Sequence, residues 1–198
     1  MAESNCGITT VSKSSPQKEK PNWISIIFDI ADSIAAVTVL VMLLFAFIVQ
    51  LNIVDGQSME QTLYHQDQVV TWRLFYEPAP GDIVLIHDIS AAPYDRTIVK
   101  RVIATGGQTV DIDFDTWTLT VDGEVIEENY RFLDASPTLT ADYEFPITLQ
   151  DHEVFVLGDN RNNSADSRQS EIGPIDKRCI IGKVVARWLP LDRITVFH

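Results

Sequence analysis

The sequence predicts a mostly β fold: an antiparallel sheet or barrel-like domain behind one N-terminal transmembrane helix. Three observations predict it. One uncharged apolar run, 34–49, lies near the N-terminus. Beyond it, no long stretch keeps a helical period. Instead, short runs rich in β-branched residues recur, broken by prolines and turn formers.

Residues 1–22 are polar, hold Pro16 and Pro21, and read as a flexible tail. The membrane helix is expected over 23–51. Its apolar run, IAAVTVLVMLLFAFIV, has one polar residue, Thr38. That run spans about 24 Å as helix, short of the ~30 Å hydrocarbon core. The mostly apolar stretch 23–31 is therefore needed to complete the crossing. Trp23 then sits at the interface, and Asp29 and Asp32, one turn apart, point to headgroups or water. A removed leader fits less well, because the run exceeds the ~7–15 residues of a signal core and no small-x-small site follows it. Lys13, Lys18 and Lys20 precede the span, and the next Lys or Arg is Arg73. The positive-inside rule then predicts a single-pass plasma-membrane protein, with its N-terminus cytoplasmic and 52–198 outside.

Strands are expected over 68–72, 82–86, 97–103, 119–121, 124–126, 153–157 and 180–188. Asp122-Gly123 between two of them is a two-residue hairpin signal. Pro78, Pro80, Pro93, Pro137, Pro146, Pro174 and Pro190 punctuate the series. Residues 127–150 are strand-poor and read as a long surface excursion.

The chain has 198 residues, 45% of them hydrophobic, with mean hydropathy +0.04. That supports one domain with a core plus a membrane segment. A net charge of −13 repels phosphate backbones and argues against nucleic acid as a partner. The two cysteines, Cys6 and Cys179, lie on opposite sides of the span and outside any CxxC pair, and the four histidines are scattered. Neither a metal, a redox centre nor another cofactor is expected.

Ser58 is the candidate nucleophile. It lies nine residues beyond Val49, the end of the apolar run, which keeps it within ~30 Å of the membrane surface. Gly56, two residues before it, permits an unusual turn and close approach of a substrate. Taken alone, such a serine is an ordinary turn residue. No histidine stands in a Ser-His-Asp pattern, so another base is needed. Lys100 in TIVKRVI shares a strand face with Ile98 and Val102. A lysine on an apolar face must reach water or shed its proton, and a neutral amine can accept a proton from a serine hydroxyl. The plain alternative is an edge-strand lysine that discourages pairing. Arg101, on the opposite face, should seek a carboxylate. The segment GDNRNNSADSR, 158–168, is dense in turn formers and carries Asp159, Arg161, Asp166 and Arg168, which can pair with one another. Its spacing does not fit a calcium loop.

Together these segments resemble type I signal peptidases, over nearly the whole chain. GQSMEQTL (56–63) resembles their nucleophile box, APGDIVLI (79–86) the next, and IVKRVIATGG (98–107) the box of the lysine base. VFVLGDNRNNSADSR (154–168) is the most specific match, and IGPI and IIGKVVARWLPLDRI resemble the closing strands. The resemblance implies a serine endopeptidase with a Ser58–Lys100 dyad that removes signal peptides of secreted preproteins after small-x-small motifs. It assigns Ser164 to orienting the lysine amine and the Ser58 N–H to the oxyanion. Asp159, Arg161, Asp166, Arg168 and Arg101 become bracing ion pairs. Ile53, Val54, Met59, Leu63 and Val99 become candidates to line the substrate pockets, with the substrate added as a strand near 53–56 and 82–86. The chain departs from the pattern at Gln61, where proline is usual, and at 104–108, which lack the usual Leu-Pro-Gly-Asp. Gly56 replaces a hydroxyl residue that serves some members as a second oxyanion donor, and so resembles the Gram-positive branch. A soluble self-cleaving repressor with the same chemistry, and an inactive homologue that binds pre-pilins, are the rival readings.

Overall fold

A computed structural model describes residues 23–87, 97–133 and 140–197. The expected tail 1–22, with Cys6, and Pro93 and Pro137 lie outside the described residues. Contacts divide the chain into two units, Met1–Met42 and Leu43–His198.

Helix α1 runs over Trp23–Ile48. Its stretch Ile26–Ile48, 23 residues with mean hydropathy 2.4, is long and apolar enough to cross a membrane. Two of its hydroxyls bond within the helix: Ser33 Oγ donates to Asp29 O at 2.7 Å and Thr38 Oγ1 to Ile34 O at 2.8 Å. These two therefore need no water along the shaft. The helix ends at Ile48, and Val49–Ile53 is extended as strand β1, although 49–51 had been expected to be helical.

Eleven more strands follow β1. They are β2 (Gln68–Trp72), β3 (Ile83–Ile86), β4 (Ile98–Thr105), β5 (Thr109–Asp113) and β6 (Thr118–Val121). Then come β7 (Glu124–Val125), β8 (Ile147–Thr148), β9 (Glu153–Leu157), β10 (Ile175–Asp176), β11 (Ile180–Leu189) and β12 (Thr195–Val196). The larger sheet runs β1-β2-β11-β3-β4-β9-β10, with β12 on β11, and the smaller runs β7-β6-β5-β8. All pairings between these strands are antiparallel. The mostly β antiparallel class is as expected. So is the Asp122-Gly123 hairpin, whose residues have φ of 54° and 83°, the all-positive geometry of a type I′ turn. Among its described residues, the excursion 127–150 contributes one short strand, β8.

β3 shows how pattern becomes packing. Its four residues are buried on both faces. Ile83 and Leu85 enter one core cluster with Val54, Met59, Leu63, Val69, Val99 and Val184. Val84 and Ile86 enter another with Val102, Val154 and Val156. Each such side chain contributes about 1.5–3 kcal/mol by leaving water. β4 lies beside β3, pairing Val84 with Lys100 and Ile83 with Arg101. Its pairing with β9 begins only at Arg101. Residues 98–100 therefore keep one open edge among the described residues.

Candidate active site

The segment 54–67 closes on itself. Val54 N–H donates to Asp67 O and Gln66 N–H to Val54 O, both at 2.9 Å. Inside this neck, Met59 O accepts from Thr62 N at 3.0 Å and Leu63 N at 2.7 Å, closing a tight turn just after Ser58. Met59 and Leu63, at the two ends of that turn, are 1% and 0% exposed. This anchors the backbone and leaves Ser58 at its start, half-buried. Asp67 holds the neck from behind. Its carboxylate accepts from Arg187 and Arg193, each at 3.1 Å, while Arg187 also donates to Thr62 O at 2.8 Å. The sequence reading had no sign of this brace from β11 and the chain end.

Lys100 extends from β4 with 3% of its surface exposed. Its Nζ lies 2.6 Å from Ser58 Oγ, 42 residues earlier in the chain. The side chains that had to meet for Ser-Lys chemistry are in hydrogen-bond contact, and the amine is almost dry.

The loop 158–168 packs behind them. Asn160 N–H donates to Ser58 O at 3.0 Å, and Asn160 Nδ2 to Gln57 O at 3.1 Å. Gly158 lies so close that a Cβ there would stand 2.2 Å from Ser164 Oγ and 2.5 Å from Ser58 O. Ser164 is 2% exposed, and its hydroxyl is one of the groups that hold the Asp166 carboxyl low.

The expected ion pairs form, with one change of partner. Arg101 grips Asp159 with Nε at 2.8 Å and Nη2 at 2.7 Å. Thr62 Oγ1 donates to the same carboxylate at 2.5 Å, tying the nucleophile turn to the loop. Arg168 grips Asp166 at 2.8 and 2.9 Å with both side chains fully buried. Burial opposes charge on Asp166, yet Arg168 and its hydrogen bonds hold the carboxyl below its usual value. Arg161 turns away from these acids to Glu128, in the excursion, and both side chains are 3% exposed. Phe132 N–H also donates to Asp159 O at 2.7 Å, and Arg161 N–H to Phe132 O at 2.9 Å. Tyr130 lies 4.0 Å under the Arg101 guanidinium. Burial and the Glu128 charge push its phenol up to about 12, so it stays a neutral aromatic face. Glu128, Tyr130 and Phe132 thus fasten the loop, and none was expected to.

A cavity of about 340 Å³ opens over Ser58 and Lys100. Its wall includes 55–57 on one side, 97–99 on the other, and Asn163, Ala165 and Ile172. Of the expected pocket residues, Val99 lines it. Val54, Met59 and Leu63 share a core cluster with Val99 but are not among the cavity's lining residues, and Ile53 is 59% exposed on β1. A substrate strand along 82–86 is ruled out, since β3 is hydrogen-bonded by β4 on one edge and β11 on the other. The open strand edge bordering the cavity lies at 98–99 on β4, with 55–57 across the cavity from it. Gly56 has φ of +103°, a conformation that favours glycine. Its N–H donates to His65 Nδ1 at 3.3 Å, so it is not aimed at the cavity. The described residues hold no group of three or more His, Cys, Asp or Glu fit to bind a metal.

The family model for signal peptidase, peptidase S26, matches residues 27–189. Probable signal peptidase I-1 of Synechocystis sp. is 33% identical over 163 residues, 78% of this chain and 79% of the relative. Signal peptidase I of Bacillus amyloliquefaciens is 31% identical over 187 residues, 90% of this chain and 96% of the relative. Signal peptidase I P of Bacillus subtilis subsp. natto is 33% identical over 186 residues, 89% and 96% of the two. A signal peptidase I crystal structure from Enterococcus faecalis V583 aligns at TM-score 0.44 and 26% identity, over 55% of this chain and 97% of that one. With a family model spanning most of its length and full-length relatives above 30% identity, the chain belongs to the peptidase S26 family, as a type I signal peptidase.

Proposed function

We propose that this chain cuts signal peptides from secreted preproteins through a Ser58–Lys100 dyad, after a small-x-small motif. The observation that carries the reading is the 2.6 Å approach of Lys100 Nζ to Ser58 Oγ, with the amine 3% exposed. Burial disfavours the ammonium form of a lysine. The neutral amine accepts the hydroxyl proton as Oγ attacks the scissile carbonyl, and then returns it to the leaving amine nitrogen. An acyl-enzyme remains on Oγ, and Lys100 next deprotonates the water that releases it. The Ser58 N–H serves the oxyanion. Ser164 Oγ, buried beside the nucleophile and the Asp166 carboxylate, steadies the amine as it moves.

The substrate enters as an extended strand between 55–57 and the open edge of β4 at 98–99, where main-chain hydrogen bonds supply affinity. Alternate side chains then face Val99, Ala165 and Ile172 in a shallow wall that admits small residues at the first and third positions before the cut. Helix α1 anchors the chain in the plasma membrane, and the three lysines before it keep the N-terminus cytoplasmic. The domain from about residue 52 faces outward beside emerging preproteins.

The test is cleavage of an Ala-x-Ala peptide by the full chain in neutral detergent. Ser58→Ala and Lys100→Ala should each lower kcat by about 10⁴-fold or more. Acidification should silence the wild type as the amine becomes protonated. Activity equal to wild type in both variants would remove the dyad.

A further inference from the structure

The geometry points to Asp55 as a specificity residue that favours a cationic side chain at the second substrate position before the cut. This rests on the protease reading above and deepens it. Val54 is 4% exposed, whereas the Asp55 side chain is 81% exposed, so the two point to opposite faces of the segment. Side chains directly opposite one another on neighbouring strands point to the same face. A substrate strand laid along 54–57 therefore turns its first and third side chains inward, as Val54 turns. Its second points outward, as Asp55 does.

The charge balance at that rim is one-sided. Among the described residues lining the cavity, Asp55 is the one carboxylate, and the one Lys or Arg is Lys100. Lys100 is buried against Ser58 and faces the reacting bond. Among the described residues, Asp55 has His65 beside it, with Nδ1 at 3.5 Å from Oδ1. That nitrogen already accepts the Gly56 N–H at 3.3 Å. In the neutral ring the carboxylate thus faces an acceptor rather than a cation. Asp55 keeps its negative charge on display beside the path of the second side chain, and a lysine there meets it while a glutamate is repelled.

The experiment uses the full chain in neutral detergent at pH 8. Three peptides differ only at the middle of Ala-Lys-Ala, Ala-Gln-Ala and Ala-Glu-Ala. In low salt, kcat/KM should favour Lys over Gln by about 2- to 5-fold, with Glu below Gln, the range of an exposed cross-strand charge pair. The preference should fade in 0.5 M NaCl, where the Debye length is about 4 Å, and should collapse in Asp55→Asn. Equal rates for the three peptides in wild type would overturn the inference. So would a preference that survives Asp55→Asn. Failure of the wild type to cut any of the three would instead overturn the protease reading, and the preference with it.

Discussion

Gly158 is the position where one methyl group should separate catalysis from folding. A Cβ built there stands 2.2 Å from Ser164 Oγ, 2.6 Å from Ser164 Cβ and 2.5 Å from Ser58 O, against ordinary contact at 3.4–4 Å. Ser58 O is backbone, and it is held by Asn160 N–H at 3.0 Å. The clash in Gly158→Ala can be relieved only by moving the nucleophile's own peptide, the 164 side chain, or both, by about 1 Å. A 1 Å misplacement at a reacting centre can cost about 10²-fold in rate. Overpacking a close-packed site costs about 1–3 kcal/mol, which lowers Tm by about 2–12 °C in a domain of this size. Gly106 is the control. A Cβ there stands 2.4 Å from Asp151 O and 2.6 Å from Asp151 Cα, an equal clash on the β4–β9 side of the domain. Gly158→Ala and Gly106→Ala should therefore lose similar Tm, measured by scanning calorimetry. Only Gly158→Ala should lose kcat on an Ala-x-Ala peptide by about two decades. Full kcat in Gly158→Ala would refute the reasoning, because the packing around Ser58 O would then have no bearing on the nucleophile.

Two further outcomes follow from the charges. Glu128→Gln leaves Arg161 charged and 3% exposed without its carboxylate. It should cost about 3 kcal/mol and 6–12 °C of Tm, while the double variant Glu128→Leu with Arg161→Leu recovers much of the loss; a single-variant Tm unchanged from wild type would remove the pair from the fold's support. Asp166 has its folded-state pKa depressed, so its stabilising effect is complete above the unfolded carboxyl value and is lost as pH falls through the folded one. In urea titrations the gap between wild type and Asp166→Asn should hold from pH 7 to about 5 and narrow below about pH 4; a gap that widens in acid would reverse the sign.

What could be read in the sequence was what neighbours in the chain encode. The Asp122-Gly123 turn needs two adjacent residues with positive φ, so its hairpin was visible. β3 and β9 were visible as short β-branched runs. β5 was not, although Val110 and Ile112 alternate with Asp111 and Asp113, because aspartates are depleted in strands and mask the pattern. β1 was hidden because VQLNI continues the apolar run of α1 without a break. Of the pocket candidates, Val99 lines the cavity, while Met59 and Leu63 are buried in the core at the two ends of the turn that holds Ser58, since an apolar residue beside a nucleophile can face either.

The partners that brace the site were beyond such reading, since nothing near Glu128 announces a contact 33 residues away with Arg161. Gln61 goes the other way, from structure back to sequence. It stands where the family usually has proline, and its φ is 78°. Proline is locked near −65° and cannot take that conformation. The departure is therefore a change of backbone path through the nucleophile turn rather than a loss of it. Leu63 still closes the turn on Met59 O, Thr62 still reaches Asp159, and Ser58 still meets Lys100. A box is thus better recognised by the contacts its turn must make than by the residue at any one of its positions.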